Sequence, residues 1–416
     1  MQQQSVDTME AVIKAAGSMP REVAEKIEHG TPAFRRTNFS LFAAGFATFA
    51  LLYCVQPLMP LFSADFGVSA AGASLALSLT TGFLAVSMLA AGVLSEAWGR
   101  KPIMVASLLL SGVLTVVCAV LPHWPTLLVV RALMGVALSG LPAVAMAYVG
   151  EEMHPRSLGL AMGLYVGGTG LGGMAGRLLT GVITDFWGWR AAVMVIGVLG
   201  VLCAAILWRY LPASRHFARR ELRLAPLSRA FGIHLRDGIL PLLFVEGFLL
   251  MGAFVTVYNY VGYRLIAPPF SLNQTKIGLI FAVYLCGIVS SAWMGSLSGW
   301  LGRRVVLPVT LGLMLAGTLI TLSGELWLIV IGIAVLTIGF FGTHSVASAW
   351  VGARAQTGKA QASSLYLFAY YLGSSVVGSL GGVFWNLYGW HGVIAMTSAL
   401  LLAAIAIALR LRARSA

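Results

Sequence analysis

Four ionisable side chains, Arg131, Arg177, Glu246 and His344, stand inside long apolar runs of the sequence. A charge at the bilayer centre costs at least about 2.5 to 3.5 kcal/mol on insertion scales, so each such residue marks either a pathway or a pairing. Counted at about 1.5 Å per helical residue, Arg131 lies roughly 8 Å and Arg177 roughly 12 Å below the expected outer face. Glu246 lies roughly 12 Å and His344 roughly 9 Å from the expected inner face. A guanidinium at depth can bind an anionic or polarisable ligand and hold a neighbouring carboxyl ionised, whereas Glu and His exchange protons once burial tunes them. Two cations toward one face and a titratable pair toward the other suit proton-coupled exchange. Each residue also has a structural alternative. Arg131 can bond backbone carbonyls, Arg177 can serve packing, Glu246 can reach toward the headgroups, and His344 can be an uncharged packing residue bonded to Ser348.

Two further polar pairs repeat. Tyr53 and Gln56 are three residues apart and share a helix face, and Thr256 and Asn259 occupy the same two positions 203 residues later. Matched polar positions in both halves point to one shared cavity. Tyr258 and Tyr260, with Tyr148, Tyr366, Tyr370 and Tyr371, can line it for an amphipathic ligand or anchor the helices at the membrane interface.

The elements that must position these residues follow from composition. The chain has 416 residues, 59% hydrophobic and 10% charged, against roughly 25% charged in an ordinary soluble domain. Mean hydropathy is +0.88, and the apolar runs, interrupted by Pro, Gly or charge, divide into twelve expected spans: 38–60, 72–96, 102–121, 126–149, 158–184, 191–211, 239–263, 275–298, 305–322, 326–350, 362–385 and 393–409. Open backbone hydrogen bonds are not tolerated in lipid and the alternation of barrel strands is absent, so the spans are expected to be helices. The expected organisation is an N-terminal segment 1–37, a six-helix bundle 38–211, a central loop 212–237, a second six-helix bundle 238–409 and a tail 410–416.

The net charge of +13 reads as topology rather than nucleic-acid binding. Of the 27 cations, 22 fall on the leader, the tail and the loops of one side and three, Arg190, Arg264 and Lys276, on the other. That asymmetry places both termini in the cytoplasm. The leader carries both signs of charge with no cleavable apolar segment behind it, so it is no signal peptide. The four cysteines lie in apolar runs without metal-ligand spacing, excluding a zinc site or disulfide framework. No Walker sequence and no HExxH cluster is present, so neither ATP hydrolysis nor intramembrane proteolysis is supported.

The chain looks internally duplicated. Gly92 to Lys101 (GVLSEAWGRK) overlies Gly295 to Arg304 (GSLSGWLGRR) with five of ten positions identical, AYVG at 147–150 overlies AWVG at 349–352, and Gly188-Trp189 overlies Gly389-Trp390. Parallel duplication of a six-span unit is a transporter pattern. The loop residues Gly92, Leu94, Gly99, Arg100 and Lys101 resemble motif A of the major facilitator superfamily, with Glu96 as its acid. Gly295, Gly302, Arg303 and Arg304 form the second copy, where Gly299 replaces the acid. The resemblance covers 38–409, and YCVQPLMP, GGMAGRLLTG and FVTVYNYVGYR make the chain similar to the YnfM-type branch of efflux permeases near the drug/proton antiporters. It implies an all-α polytopic membrane protein of the superfamily's fold, with twelve transmembrane helices in two pseudo-symmetric six-helix bundles. Spans one, four, seven and ten would line the central cavity, and Glu96 would close the cytoplasmic side in the outward-facing state. On physical grounds Glu96 can cap a neighbouring helix N-terminus while Arg100 and Lys101 hold their loop at the anionic membrane surface.

The expected function is secondary active transport of a small organic solute by alternating access, as efflux in antiport with protons. Uptake symport of a sugar, organic acid or amino acid is the alternative, with an intramembrane enzyme disfavoured. The expected protein is a bacterial inner-membrane monomer needing no cofactor, metal or nucleic acid and driven by the proton gradient. The glycines of span five and of 373–382 are expected to form the sliding seam between the halves.

Overall fold

The computed structural model describes residues 26–217 and 231–414. The rest of the expected leader, of the central loop and of the tail lies outside the described residues. The helices are α1 (Pro32–Tyr53), α2 (Met59–Phe66), α3 (Ala70–Trp98), α4 (Arg100–Val120), α5 (Trp124–Leu138), α6 (Pro142–Glu152), α7 (Pro155–Tyr210), α8 (Leu240–Ile266), α9 (Gln274–Ile280), α10 (Tyr284–Trp300), α11 (Arg303–Ile320), α12 (Leu326–Arg354) and α13 (Lys359–Arg414). A short 3-10 turn, Phe281–Val283, joins α9 to α10. Among the described residues nine helical stretches are long and apolar enough to cross a membrane. Strands are absent from the described residues, where only an isolated bridge pairs Ile27 with Met153.

Two helices of 56 residues, α7 and α13, each turn back at one residue, Gly188 with φ 78° and Gly389 with φ 58°. Both lie in the left-handed region that only glycine enters without strain, so the repeated Gly-Trp pair of the sequence is the hinge of two helical hairpins. Starts are set by caps. Thr31 accepts from the Phe34 amide at 3.1 Å ahead of Pro32, so α1 begins before position 38, the expected start. Ser69 caps α3 through the Gly72 amide at 3.1 Å.

The first expected span is also interrupted. Pro57 has no N–H to offer the Tyr53 carbonyl, so the helix ends at Tyr53 and the Gln56 amide bonds that carbonyl at 3.0 Å in a tighter turn. The chain resumes as α2, leaving Gln56 in an irregular stretch inside the bundle.

The glycine seam differs from expectation. On α7, Gly168, Gly172 and Gly176 face Phe42, Phe46 and Ala50 of α1, within the first half, and on α13 Gly373 faces Phe248 of α8, within the second. Contact between halves comes from Gly170 against Ile288, from Gly181 against Gln274 and from Gly382 against Ala71. Most of these glycines therefore let helices approach inside one bundle, where lipid-embedded helices gain packing energy from small residues.

Asp237 caps α8, accepting from the amides of Ile239 at 2.8 Å and Leu240 at 2.9 Å, and pairs with Arg354 at 3.0 Å. Burial pushes its carboxyl up, but the Arg354 guanidinium and the two amides outweigh that and hold it below its ordinary value of 3.8. The cap's contribution is therefore present above about pH 4 and lost as pH falls through the depressed value. Asp237→Ala is expected to lower stability by about 1 kcal/mol at pH 7. Melting curves of the two proteins in detergent should converge below pH 4; a constant gap there would contradict the cap.

Candidate transport site

Three helices converge on Arg177 of α7, which is 1% exposed. Its Nε donates to Gln56 Oε1 at 2.6 Å and its Nη1 to the Gly173 carbonyl at 2.6 Å. The guanidinium lies 4.3 Å from the Tyr53 ring, 4.7 Å from Tyr284 and 5.1 Å from Phe281, all within cation–π range. Gln56 in turn donates from Nε2 to Asn259 Oδ1 at 2.7 Å. The two repeat-equivalent positions therefore touch each other, and residues of both halves share one polar knot. Tyr258 stacks on Phe281 at 5.3 Å and bonds Thr337 at 2.6 Å. Five of the eight expected pathway residues, Tyr53, Gln56, Arg177, Tyr258 and Asn259, thus form one cluster. Asn259 Nδ2 within it is buried without a hydrogen-bond partner.

Arg131 belongs elsewhere. It is 1% exposed, and its guanidinium donates to the carbonyls of Ala76 at 2.7 Å, Leu52 at 3.1 Å and Leu51 at 3.4 Å, with Met134 Sδ at 3.0 Å. Leu51 and Leu52 are the residues whose carbonyls lose helical partners where α1 breaks. Arg131 is the cap of that break, the geometry of its structural alternative.

Glu246 and His344 meet around Tyr366. His344 Nδ1 lies 3.0 Å from the Tyr366 hydroxyl, and the Tyr366 ring packs against Gly247, the neighbour of Glu246. Ser348 bonds the Ser345 carbonyl rather than the histidine. Glu246 is 0% exposed, and neither carboxyl oxygen has a hydrogen bond. Rings bridge this cluster to the arginine: His344 stacks on Phe340 at 6.2 Å, Phe340 on Phe254 at 3.6 Å, and Phe254 contacts Tyr258 at 4.7 Å. Of the other tyrosines, Tyr148 instead bonds the Pro212 carbonyl at 3.0 Å, while Tyr370 lies 4.8 Å from His344.

Around the motif-A loop the partners differ from those expected. Arg100 is 7% exposed rather than spread on the surface, and grips Glu151 at the end of α6 in a bidentate pair of 2.7 and 3.2 Å, with a further bond to Ser95. Lys101 caps the end of α7 through the Leu211 carbonyl at 2.5 Å. Among the described residues no hydrogen bond or ion pair reaches Glu96, so it caps no helix here. Gly99 and Gly302 take φ of 99° and 84° at equivalent turns, which accounts for both glycines. Aligning AYVG on AWVG sets Glu151 on Ala353, so the Arg100 grip has no equivalent acid near Arg303.

Among the described residues the hydrogen bonds between halves lie toward the arginine-poor face. Besides Gln56 with Asn259, Ser63 meets the Tyr263 hydroxyl at 2.7 Å, that hydroxyl donates to the Met59 carbonyl at 2.8 Å, and Asp185 accepts from the amides of Gln274 at 3.1 Å and Thr275 at 2.8 Å. At the arginine-rich face Arg100 with Glu151, and Arg354 with Asp237, join residues of one half. The halves are closed together at the arginine-poor end. Asp185→Ala removes two of those bonds and a favourable charge at a helix N-terminus, at most about 1 kcal/mol, a shift of about fivefold toward opening of that face. Spin-label distances across it should show a longer population growing; an unchanged distribution would mean Asp185 does not hold the closure.

Phe281, Tyr284, Thr337 and Asp185 were not expected from the sequence. Tyr284 and Phe281 had a usable signal, an aromatic pair three residues apart near the expected outer third of a span.

Buried charges between two helical halves, closed at one end, define a multi-pass membrane transporter of a small-molecule substrate. The Major Facilitator Superfamily model matches residues 41–265. The chain is 50% identical over 379 residues to the "Uncharacterized MFS-type transporter YybF" of Bacillus subtilis (strain 168), covering 91% of this chain and 94% of that one. It is 49% identical over 388 residues to the "Inner membrane transport protein YnfM" of Escherichia coli (strain K12), covering 93% of each. The crystal structure of a mutant of the nucleoside transporter NupG matches with a TM-score of 0.76 at 12% identity, over 90% of this chain and 99% of that one, a likeness of fold. The chain belongs to the Major Facilitator Superfamily, and it is a transporter rather than an enzyme.

Proposed function

We propose that the chain moves a small organic solute outward by alternating access in exchange for protons. The observation that carries this reading is the Arg177 knot, a dry cation ringed by aromatics of both halves and tied through Gln56 to Asn259. Among the described residues no carboxylate is paired with it, so a solute bearing negative or polarisable groups is the ligand it can take from Gln56. Glu246 and His344, on the side of the knot nearer the arginine-rich face, are the proton-handling pair. Arg131 contributes by fixing the break in α1 that presents Gln56.

Further parts of this reading are twelve spans, obtained by dividing α7 and α13 at their glycines and joining α1 to α2 and α9 to α10. Both termini are cytoplasmic, which makes the closed end periplasmic and the motif-A face the inner gate, with Gly92, Glu96, Gly295, Arg303 and Arg304 moving as it closes. The protein works as a monomer in a bacterial inner membrane without a cofactor. The test is a proteoliposome carrying an internal pH dye, challenged with organic anions, neutral solutes and cationic drugs. Solute applied on one side should drive protons the opposite way, and Arg177→Lys, which keeps the charge but loses the planar fork, should abolish the response. Protons moving with the solute would establish symport and overturn the antiport reading.

A further inference from the structure

A cavity of about 850 Å³ opens at the arginine-rich face between the start of α1, the end of α7 and the segment that follows it. Lys26, Arg36, Lys101, Arg209 and Arg215 line it, with Glu28 and Glu152 as its only carboxylates among the described residues. Neither acid serves those cations. Glu152 is 2% exposed and accepts from the amides of Arg215 at 2.8 Å and His216 at 2.9 Å, while Glu28 faces His154 at 3.5 Å. Among the described residues no carboxylate pairs with these cations: Lys101 donates to the Leu211 carbonyl, and Arg209 lies over the Tyr210 ring at 5.6 Å. One wall is a built element, since Ile27 is bonded on both sides to the loop after α6, its amide to the Glu152 carbonyl at 2.9 Å and its carbonyl to the His154 amide at 3.0 Å.

The rim shows which phase the cavity meets. Phe39, one turn from Arg36, is 56% exposed and stands edge-on at 6.1 Å to Tyr210, a lining residue 44% exposed. Apolar and amphipathic rings flanking arginines at a helix end are the arrangement of the headgroup layer. We infer that this cavity binds the phosphodiester headgroup of an anionic phospholipid, its acyl chains leaving past Phe39 and Tyr210. Basic recesses between transmembrane helices are suited to headgroups of this kind. A free phosphate ester shares the headgroup's chemistry but has no use for the aromatic rim.

The test is native mass spectrometry of the full chain released from nanodiscs of phosphatidylethanolamine doped with cardiolipin, with inorganic phosphate and glycerol phosphate as soluble arms. The probe variant is the triple Arg36→Gln, Arg209→Gln, Arg215→Gln, and the control, with equal charge loss on the second half, is Lys359→Gln, Arg410→Gln, Arg412→Gln. Cardiolipin should be retained over phosphatidylethanolamine by wild type and control, and retention should fall about tenfold or more in the probe variant, with melting temperature confirming that it folds. Equal losses in probe and control would reduce the effect to surface charge and overturn the site. Retention of the soluble esters with no preference for cardiolipin would overturn the lipid assignment.

Discussion

Glu246→Gln, reconstituted beside wild type, is expected to keep solute exchange and lose proton-driven accumulation. The carboxyl is fully buried and its two oxygens have no hydrogen-bond donor, so an ionised group there would be an unpaired charge in an apolar setting, one of the costliest states a protein can hold. Such a group gains and loses its charge with the opening and closing of the space around it, which is what links a proton to a conformation. Glutamine has the same shape and no titration, so the link is removed while the packing stays. Coupling free energies of about 1 to 3 kcal/mol correspond to about 5- to 150-fold, and accumulation should drop by that range while counterflow at equal pH persists. Glu246→Leu should do the same and melt higher, because an unsatisfied polar group is replaced by an apolar one. Undiminished accumulation in Glu246→Gln would remove the residue from coupling.

What the sequence revealed and what it concealed divide along physical lines. The meeting of Gln56 with Asn259 was foreseeable because a duplicated chain brings equivalent positions toward its pseudo-symmetry axis, and both carried polar groups in apolar surroundings. The burial of Arg177 was likewise legible, but its ring cage was not: Tyr284 and Phe281 come from the other half, and aromatic residues in an apolar span carry no mark of which cation they will face. Depth in the sequence alone groups Arg131 with Arg177. Its partners are backbone carbonyls, which leave no trace in a sequence except through Pro57, whose missing N–H breaks α1. The motif spacing points Arg100 to the anionic membrane surface and Glu96 to a helix N-terminus, whereas Glu151 grips Arg100 from the end of α6, a contact set by how helices pack and not by local order.

The two buried arginines should therefore fail in different ways when replaced. Arg131→Ala strips a donor from three carbonyls: that of Ala76 keeps the Thr80 hydroxyl at 3.1 Å and that of Leu51 the Cys54 thiol at 3.4 Å, while that of Leu52 loses its guanidinium donor where α1 breaks. An unsatisfied buried carbonyl costs about 1 to 3 kcal/mol, and with one carbonyl bared and two weakened, partly offset by relief from burying a charge, a net loss of about 2 kcal/mol is expected. At about 2.1 cal/mol/K of unfolding entropy per residue, a chain of this length should fall in melting temperature by roughly 2 °C, with less monodisperse protein recovered from the membrane. Arg131→Lys should recover part of it, since one ammonium can bond two of the three carbonyls but lacks the fork that spans them. Arg177 sits differently: one of its bonds goes to a Gln56 side chain that can turn away with a ligand, so Arg177→Lys should melt near wild type while transport is lost. Side-by-side melting and flux measurements separate the pair. If Arg131→Ala melted like wild type but moved no solute, its guanidinium would be a ligand contact, and the assignment of Arg131 to the break in α1 would be wrong.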